Sequence, residues 1–417
     1  MRILWFAPTS SQYDKGSHYY HGGGWIESLE QTFREHSSDK LGICFFHHTD
    51  EAKRERDNVT YFPVRMVKMK NLQKLLNNWS GSIDAESYIS KFKQVIADFK
   101  PDVIQVFGTE NSFAEIQQHT QIPVVIHLQG ILNPYNNAFY PPGVYRHDVL
   151  TYLPFLKNHL LGNSLLFDKK RFEKRAAKEL TYFKHAKNLI GRTCWDRMLS
   201  TSLAPQATYF HVEEILRSSF YDATPWKVSH REGPIQIVST ISSTIYKGLD
   251  VILKTAGLLK SMGVRFEWKI VGLQASNKLV GFFERCFKLN FKDVQVSFLG
   301  VFPEKDLIGL LQSSDVFVHP SYIDNSPNSV CEAQMVGIPV ISCDVGGTSS
   351  LIRNQETGLL VPANGIYEMA HAIFSLVGDK KKSSLLGQQA RQRAMERHNR
   401  LNTYHSLMSV YQTIHSR

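Results

Sequence analysis

A chain of 417 residues with 42% hydrophobic content is long enough for two domains of roughly 200 residues, and it shows neither repeats nor a disordered composition. Its five cysteines, Cys44, Cys194, Cys286, Cys331 and Cys343, are scattered and form no CxxC pair, which excludes a disulfide framework and a zinc site as organising features and suits a reducing cytoplasm. The formal charge of +10 is accompanied by no recognised nucleic-acid motif, so nucleic acid is not an expected partner.

The first half alternates short apolar runs with amphipathic stretches, the pattern of an open α/β sheet. Ile3-Leu4-Trp5-Phe6-Ala7 is too short for the core of a signal peptide and reads as part of a first buried strand, residues 2–7. Further strands are expected at 41–47, 102–107, 124–128, 188–190 and 208–211. Helices are expected at about 25–35, 85–98, 163–184 and 193–200. After the first strand, His21-Gly22-Gly23-Gly24-Trp25 opens a helix. Glycines there let backbone N–H groups approach a phosphate without interference from Cβ, and the helix dipole adds to the attraction.

Phe107-Gly108-Thr109-Glu110 ends another strand, and Glu110 suits either sugar hydroxyls on an acceptor side or ordinary capping of a helix start. In Val124-Val125-Ile126-His127-Leu128-Gln129-Gly130, His127 and Gln129 lie on one strand face, two residues apart. Gln129 cannot act as a base at neutral pH but can orient a hydroxyl. His127 reads as a cleft-wall or core histidine in preference to a catalytic one. Gly191-Arg192-Thr193 ends a later strand, where Arg192 either contacts an anion or begins a helix.

Residues 152–167 are rich in large apolar side chains, and between 155 and 200 there are 11 Lys or Arg against 4 acids, a local +7. Two readings follow. The stretch lies on an anionic membrane surface, with Lys169, Lys170 and Arg171 on an exposed helix face, or it is a packed insertion whose basic face is simply solvated. Polar and turn-forming residues from Thr224-Pro225-Trp226 to Gly233-Pro234 mark an interdomain linker. The expected domains are 1–220, 221–395 and a terminal segment 396–417, whose amphipathic part, about 400–414, reads as a helix.

The second half alternates more regularly, with strands expected at 235–239, 267–271 and 294–299 and helices at 248–261, 278–288 and 304–312. Tyr246-Lys247-Gly248-Leu249-Asp250 begins the first of these helices. A lysine is electrostatically disfavoured at a helix N-terminus unless an anion is present, so Lys247 points to a bound anion. The apolar run Asp315-Val316-Phe317-Val318-His319 reads as a buried strand. It is followed by Pro320-Ser321-Tyr322-Ile323-Asp324-Asn325 and by a helix with Ser326 as N-cap and Pro327 at its first position. Asp324 then lies in the loop and Glu332 two turns along the helix, with the helix's amide end facing whatever anion the loop holds.

Together with Gly337-Ile338-Pro339-Val340-Ile341, Gly346-Gly347 and Glu356-Thr357-Gly358-Leu359-Leu360-Val361, this segment resembles the donor half of the family 4 retaining glycosyltransferases. That family carries Glu-x7-Glu where this chain has Asp-x7-Glu at Asp324 and Glu332. The resemblance covers about residues 234–375. It implies a GT-B fold, two Rossmann-like domains facing across a cleft with the terminal helix crossing back to the first domain, and transfer of a sugar from a nucleoside diphosphate sugar to a glycan or lipid-linked acceptor in surface polysaccharide assembly. By the same resemblance, Glu332 holds the ribose and Asp324 the donor sugar. Lys247 and the amides of Gly23 and Gly24 hold the diphosphate, with Ser326 and Asn328 beside it, and backbone near Val301 contacts the base. Gln129 stands near the reacting sugar. Glu110, His127 and Arg192 fall on the acceptor side, and neither a metal nor another cofactor is expected.

Two departures from the family pattern are visible. Ile241 and Ser242 stand where an arginine is usual before the Lys-Gly pair, and Gln129 replaces the usual histidine. Three alternatives stay open: a sugar-nucleotide epimerase or a sugar phosphorylase, which can share the two-domain plan, and a degenerate sugar-nucleotide-binding protein, which the two departures motivate. The expected location is cytoplasmic, peripheral on the inner membrane face in the membrane reading.

Overall fold

The computed structural model describes residues 1–13, 24–67, 71–80, 86–230 and 232–417. They form two compact α/β units, each built on its own sheet. In the first, β1 (Arg2–Phe6), β2 (Lys40–His47), β3 (Arg54–Arg56), β4 (Val59–Arg65), β5 (Val103–Phe107), β6 (Val124–His127), β7 (Asn188–Gly191) and β8 (Thr208–His211) run in the order 3-4-2-1-5-6-7-8. Neighbours are parallel except for the β3–β4 pair. Ile3, Leu4, Trp5 and Phe6 are all fully buried, as expected of a strand covered on both faces. One core layer gathers the helix Gly24–His36 and the terminal helix Arg400–His415; the other gathers Glu86–Phe99, Leu165–His185 and the helix after β7.

Sequence order in this sheet runs outward in opposite directions from β1 and β5, so the strand order reverses between them. The second sheet repeats the plan with six parallel strands: β9 (Ile235–Thr240), β10 (Phe266–Val271), β11 (Val296–Gly300), β12 (Val316–His319), β13 (Val340–Cys343) and β14 (Leu359–Val361), ordered 11-10-9-12-13-14. Its reversal lies between β9 and β12. In open α/β sheets, ligands settle outside the carboxyl ends of the strands at such a reversal.

Three expectations are corrected here. The hairpin β3–β4 is absent from the sequence reading; Pro63 obscures β4, and it is accommodated because β3 pairs only with Val59 to Tyr61, leaving Pro63 with no outer neighbour. The unit boundary falls between Arg217 and Ser218, ahead of the expected linker at 224–234. That stretch is fastened to the second unit, with Trp226 N–H donating to the Val336 carbonyl at 2.9 Å and its indole Nε1 to the Ser314 carbonyl at 2.7 Å.

The first domain is also not contiguous over 1–220, because residues 137–158 group with the second unit. Tyr152 and Phe155 pack against Phe282, with ring centroids 5.5 and 5.3 Å away, and Phe139 lies 6.2 Å from Tyr246. Lys278 Nζ donates to Asn158 Oδ1 at 2.8 Å, and Arg285 to the Thr151 carbonyl at 2.5 Å. The chain returns to the first unit at His398, where the terminal helix is tied to the sheet. Trp5 Nε1 donates to the Tyr411 hydroxyl at 2.9 Å, which donates to Gln105 Oε1 at 2.5 Å.

Candidate active site

At the reversal in the second sheet, the loops after β9 and β12 meet backbone to backbone. Gly248 has φ 77°, and a Cβ there would lie 2.0 Å from the Pro320 carbonyl oxygen, so no other residue fits without moving one loop. Tyr322 N–H donates to the Tyr246 carbonyl at 3.0 Å and completes the seam. This contact brings Lys247 Nζ to 2.5 Å from Asp324 Oδ2. His319 Nε2 approaches the same oxygen at 3.4 Å from the end of β12. Gly346 (φ 55°) closes the other side, since a Cβ there would lie 1.9 Å from the Asp324 carbonyl oxygen, which also accepts from Gly347 N–H at 2.9 Å.

Asp324 is 8% exposed. Burial alone would push its carboxyl upward, but the charge of Lys247 and the contact with His319 outweigh burial and hold it well below the usual carboxylate range. A buried network anchors the loop from behind. The Tyr322 hydroxyl donates to Asp250 Oδ2 at 2.7 Å, and Lys254 Nζ lies 2.8 Å from the same oxygen. Neither His319 nor this network was assigned a role from sequence. A fully buried Asp250 in the first turn of a helix, beside the Lys-Gly pair, is the signal that marks it.

The helix after the loop spans Asn328–Val336 with Pro327 at the N-cap, so the expected Ser326 cap is shifted by one residue: Pro327 has extended backbone (ψ 112°), and no side chain caps the helix. Its first-turn amides, at Asn328 and Ser329, lack intrahelical acceptors by geometry. Ser326 is 8% exposed and Glu332 4%, and the buried Asn328 Oδ1 has no hydrogen-bond partner among the described residues. Val301 is 62% exposed just beyond β11, the outermost strand of the sheet.

In the first unit the expected residues line up on the carboxyl ends of β5, β6 and β7, but their surroundings differ. Glu110 curls back over the backbone and accepts from Gly130 N–H at 2.6 Å; burial pushes its carboxyl upward, against the hydrogen bonds it receives. Gln129 is half-buried, with Nε2 donating to the His127 carbonyl at 3.3 Å. His127 is 1% exposed, between Trp25 at 5.2 Å and Phe107 at 5.8 Å. Burial, with Arg192 nearby, drives its pKa well below the usual value and keeps it neutral. Arg192 is 3% exposed, 5.2 Å from the Trp25 ring and 3.4 Å from Glu214, with which it forms a buried ion pair. Gly24 opens the first helix; Gly23 lies outside the described residues.

In the basic helix Leu165–His185, Lys170 is exposed while Lys169 and Arg171 are half-buried, and all three bond backbone carbonyls. Lys169 Nζ donates to the Asn136 carbonyl and Lys170 Nζ to the Trp79 carbonyl at 2.7 and 2.8 Å, and Arg171 bonds the Gly162 carbonyl at 2.7 Å. No helix among the described residues is long and apolar enough to cross a membrane.

Lysine, buried aspartate and a helix start meet at a strand-order reversal, an arrangement whose chemistry suits an anionic, hydroxyl-bearing ligand. Residues 221–393 match the family model of glycosyl transferases group 1. Over 193 residues the chain is 28% identical to a putative colanic acid biosynthesis glycosyltransferase, WcaL, of Salmonella typhimurium, a match covering 43% of this chain and 46% of that protein. The chain spans less than half the length of the curated relatives it matches.

Two solved structures share the fold. Sucrose-phosphate synthase of Thermosynechococcus elongatus is similar over 100% of this chain and 99% of its own, with TM-score 0.73 and 14% identity. Anabaena HepE, solved with UDP-glucose, is similar over 99% of this chain and 100% of its own, with TM-score 0.67 and 14% identity.

Proposed function

We propose that the protein is a retaining glycosyltransferase that moves a sugar from a nucleoside diphosphate sugar to a hydroxyl of a glycan or lipid-linked acceptor in polysaccharide assembly. The observation that carries this reading is the Lys247–Asp324 pair, held by two glycine-dependent loop contacts at the reversal of the second sheet. The name of the Salmonella relative and the UDP-glucose bound by the Anabaena protein support the substrate class. In the free protein Lys247 and Asp324 neutralise each other. A donor diphosphate draws the ammonium toward itself, which releases the carboxylate to accept hydrogen bonds from the donor sugar. As the diphosphate departs, its charge grows, and a fixed cation beside it lowers the barrier without a metal ion. Glu332 binds the ribose. Retention of configuration follows the family resemblance.

Calorimetry with UDP, GDP and ADP tests the reading. One of them is expected to bind, with Glu332→Ala weakening it by about 1.5–3 kcal/mol through lost charge-assisted hydrogen bonds. Transfer is expected to persist in the presence of a chelator. Absence of binding for all three nucleotides, or an unchanged affinity in a folded Glu332→Ala protein, overturns the assignment.

The membrane side of the proposal moves from the basic helix to the 137–158 segment, where Leu150, Leu153 and Leu156 are 52%, 78% and 54% exposed. Flotation with anionic vesicles is expected to carry the wild type and to leave a Leu153→Asp, Leu156→Asp variant in solution, because a charge cannot enter the acyl boundary cheaply. Equal flotation of both proteins removes this part of the reading.

A further inference from the structure

The first unit contains a cavity of about 360 Å³ at the carboxyl ends of β2, β4 and β5, beside the reversal of its sheet. Its size falls within the range of about 300–1,000 Å³ typical of small-molecule sites. One wall is aromatic, formed by Phe46 and Tyr88, whose rings sit edge to face at 4.8 Å. The opposite rim is polar. Asn111 and Ser112 line it, and neither side chain makes a hydrogen bond among the described residues.

Two cations reach the cavity, and they are not equivalent. Lys178 is neutralised by Glu115 at 2.8 Å. Arg175 has no carboxylate within ion-pair distance among the described residues. Its Nε and Nη2 donate to the Glu110 carbonyl at 3.2 and 2.7 Å, which orients the guanidinium and leaves Nη1 without a hydrogen bond among the described residues. Glu110, also on the lining, turns its carboxyl to the Gly130 amide at 2.6 Å and makes no ion-pair contact with the guanidinium. A half-buried guanidinium with no carboxylate in ion-pair contact among the described residues, beside uncommitted amide and hydroxyl groups and an aromatic wall, matches a polyhydroxy ring that carries its own negative charge.

We propose that this cavity binds a sugar bearing an acidic group, a carboxylate or a phosphate, with the acid on Arg175, hydroxyls on Asn111 and Ser112, and the apolar ring face against Tyr88. Only the word acceptor depends on the transferase reading: within that reading, the guest is the acceptor residue, and the class of acceptor is an acidic glycan. Titration of the full-length protein with glucuronic acid, glucose 6-phosphate and glucose, followed by saturation-transfer NMR, tests it.

One of the two anions is expected to bind at least about tenfold more tightly than glucose, the effect of one charge-assisted contact, and the tighter arm identifies the acid. Arg175→Gln is expected to erase that preference while retaining weak sugar binding. Ser112→Trp, which fills the cavity without touching the guanidinium, is expected to abolish binding of all three. Equal affinity for glucose and both anions, no saturable anion binding, or anion binding unchanged by Ser112→Trp overturns the proposal. A parallel UDP titration of the wild type reports on the nucleotide reading separately, so failure of UDP with retention of the anion leaves the cavity assignment standing.

Discussion

Lys247 and Asp324 are an ion pair before they are anything else, and this complicates any reading of variants at either position. Removing the lysine strands a buried carboxylate, a change that typically costs about 3–5 kcal/mol; Lys247 keeps some solvent contact, so about 3 kcal/mol is expected for Lys247→Met. The double variant Lys247→Met, Asp324→Asn is expected to recover most of that loss in denaturant titrations while remaining inactive, separating stability from transfer. Asp324 is ionised in the fold below its ordinary 3.8, so its contribution is present above that pH and is lost as pH falls beneath it. His127 acts in a higher window. Its folded pKa lies below its ordinary 6.5, so the unfolded chain takes up the proton first, and stability is lost as pH falls below about 6.5, by up to about 1.4 kcal/mol per pH unit. A His127→Phe variant is expected to flatten that part of the melting-temperature profile. Spacing made the placement of residues legible, with Lys247 just before a helix start and Asp324 in the loop before the helix that carries Glu332. Residue chemistry was illegible where burial decides, since nothing local distinguishes a strand-end histidine beside a carboxylate, His319, from one under a tryptophan, His127.

At the scale of elements, the helix Arg400–His415 is held by a polar contact as well as by its apolar face. Tyr411 sits between Trp5 and Gln105, accepting from one and donating to the other, in the fully buried layer under β1 and β5. Tyr411→Phe keeps the packing but leaves an indole N–H and an amide oxygen without partners, so about 2 kcal/mol of destabilisation is expected by chemical denaturation. The reading of this segment as a helix needed only its periodicity; its attachment to β1, some 400 residues away in sequence, had no local signal. The strands were legible for the same reason as the helix, since continuous apolar runs such as Arg2–Phe6 and Val316–His319 permit little else. The pair β3–β4 escaped because Pro63 and the charged Arg54–Arg56 imitate a loop.

For the whole molecule, the path of the backbone matters more than any single element. The chain passes between its two units at residues 136–137, 158–159, 217–218 and 397–398. The first two passages were invisible in the sequence because residues 137–158 resemble their neighbours in composition; only their partners, Phe282 and Arg285, reveal which unit they complete. Tyr152→Ala with Phe155→Ala is therefore expected to lower the stability of the second unit, read through denaturation with and without nucleotide, although both residues precede β7 of the first sheet. Exchanging residues 218–397 for the corresponding stretch of a relative, the obvious way to transplant a donor preference, would leave the graft facing a foreign patch at Tyr152 and Phe155. The unit of exchange, in the laboratory or in descent, is two separate pieces of chain, and a recombination event that moves only the longer piece inherits an unfinished surface.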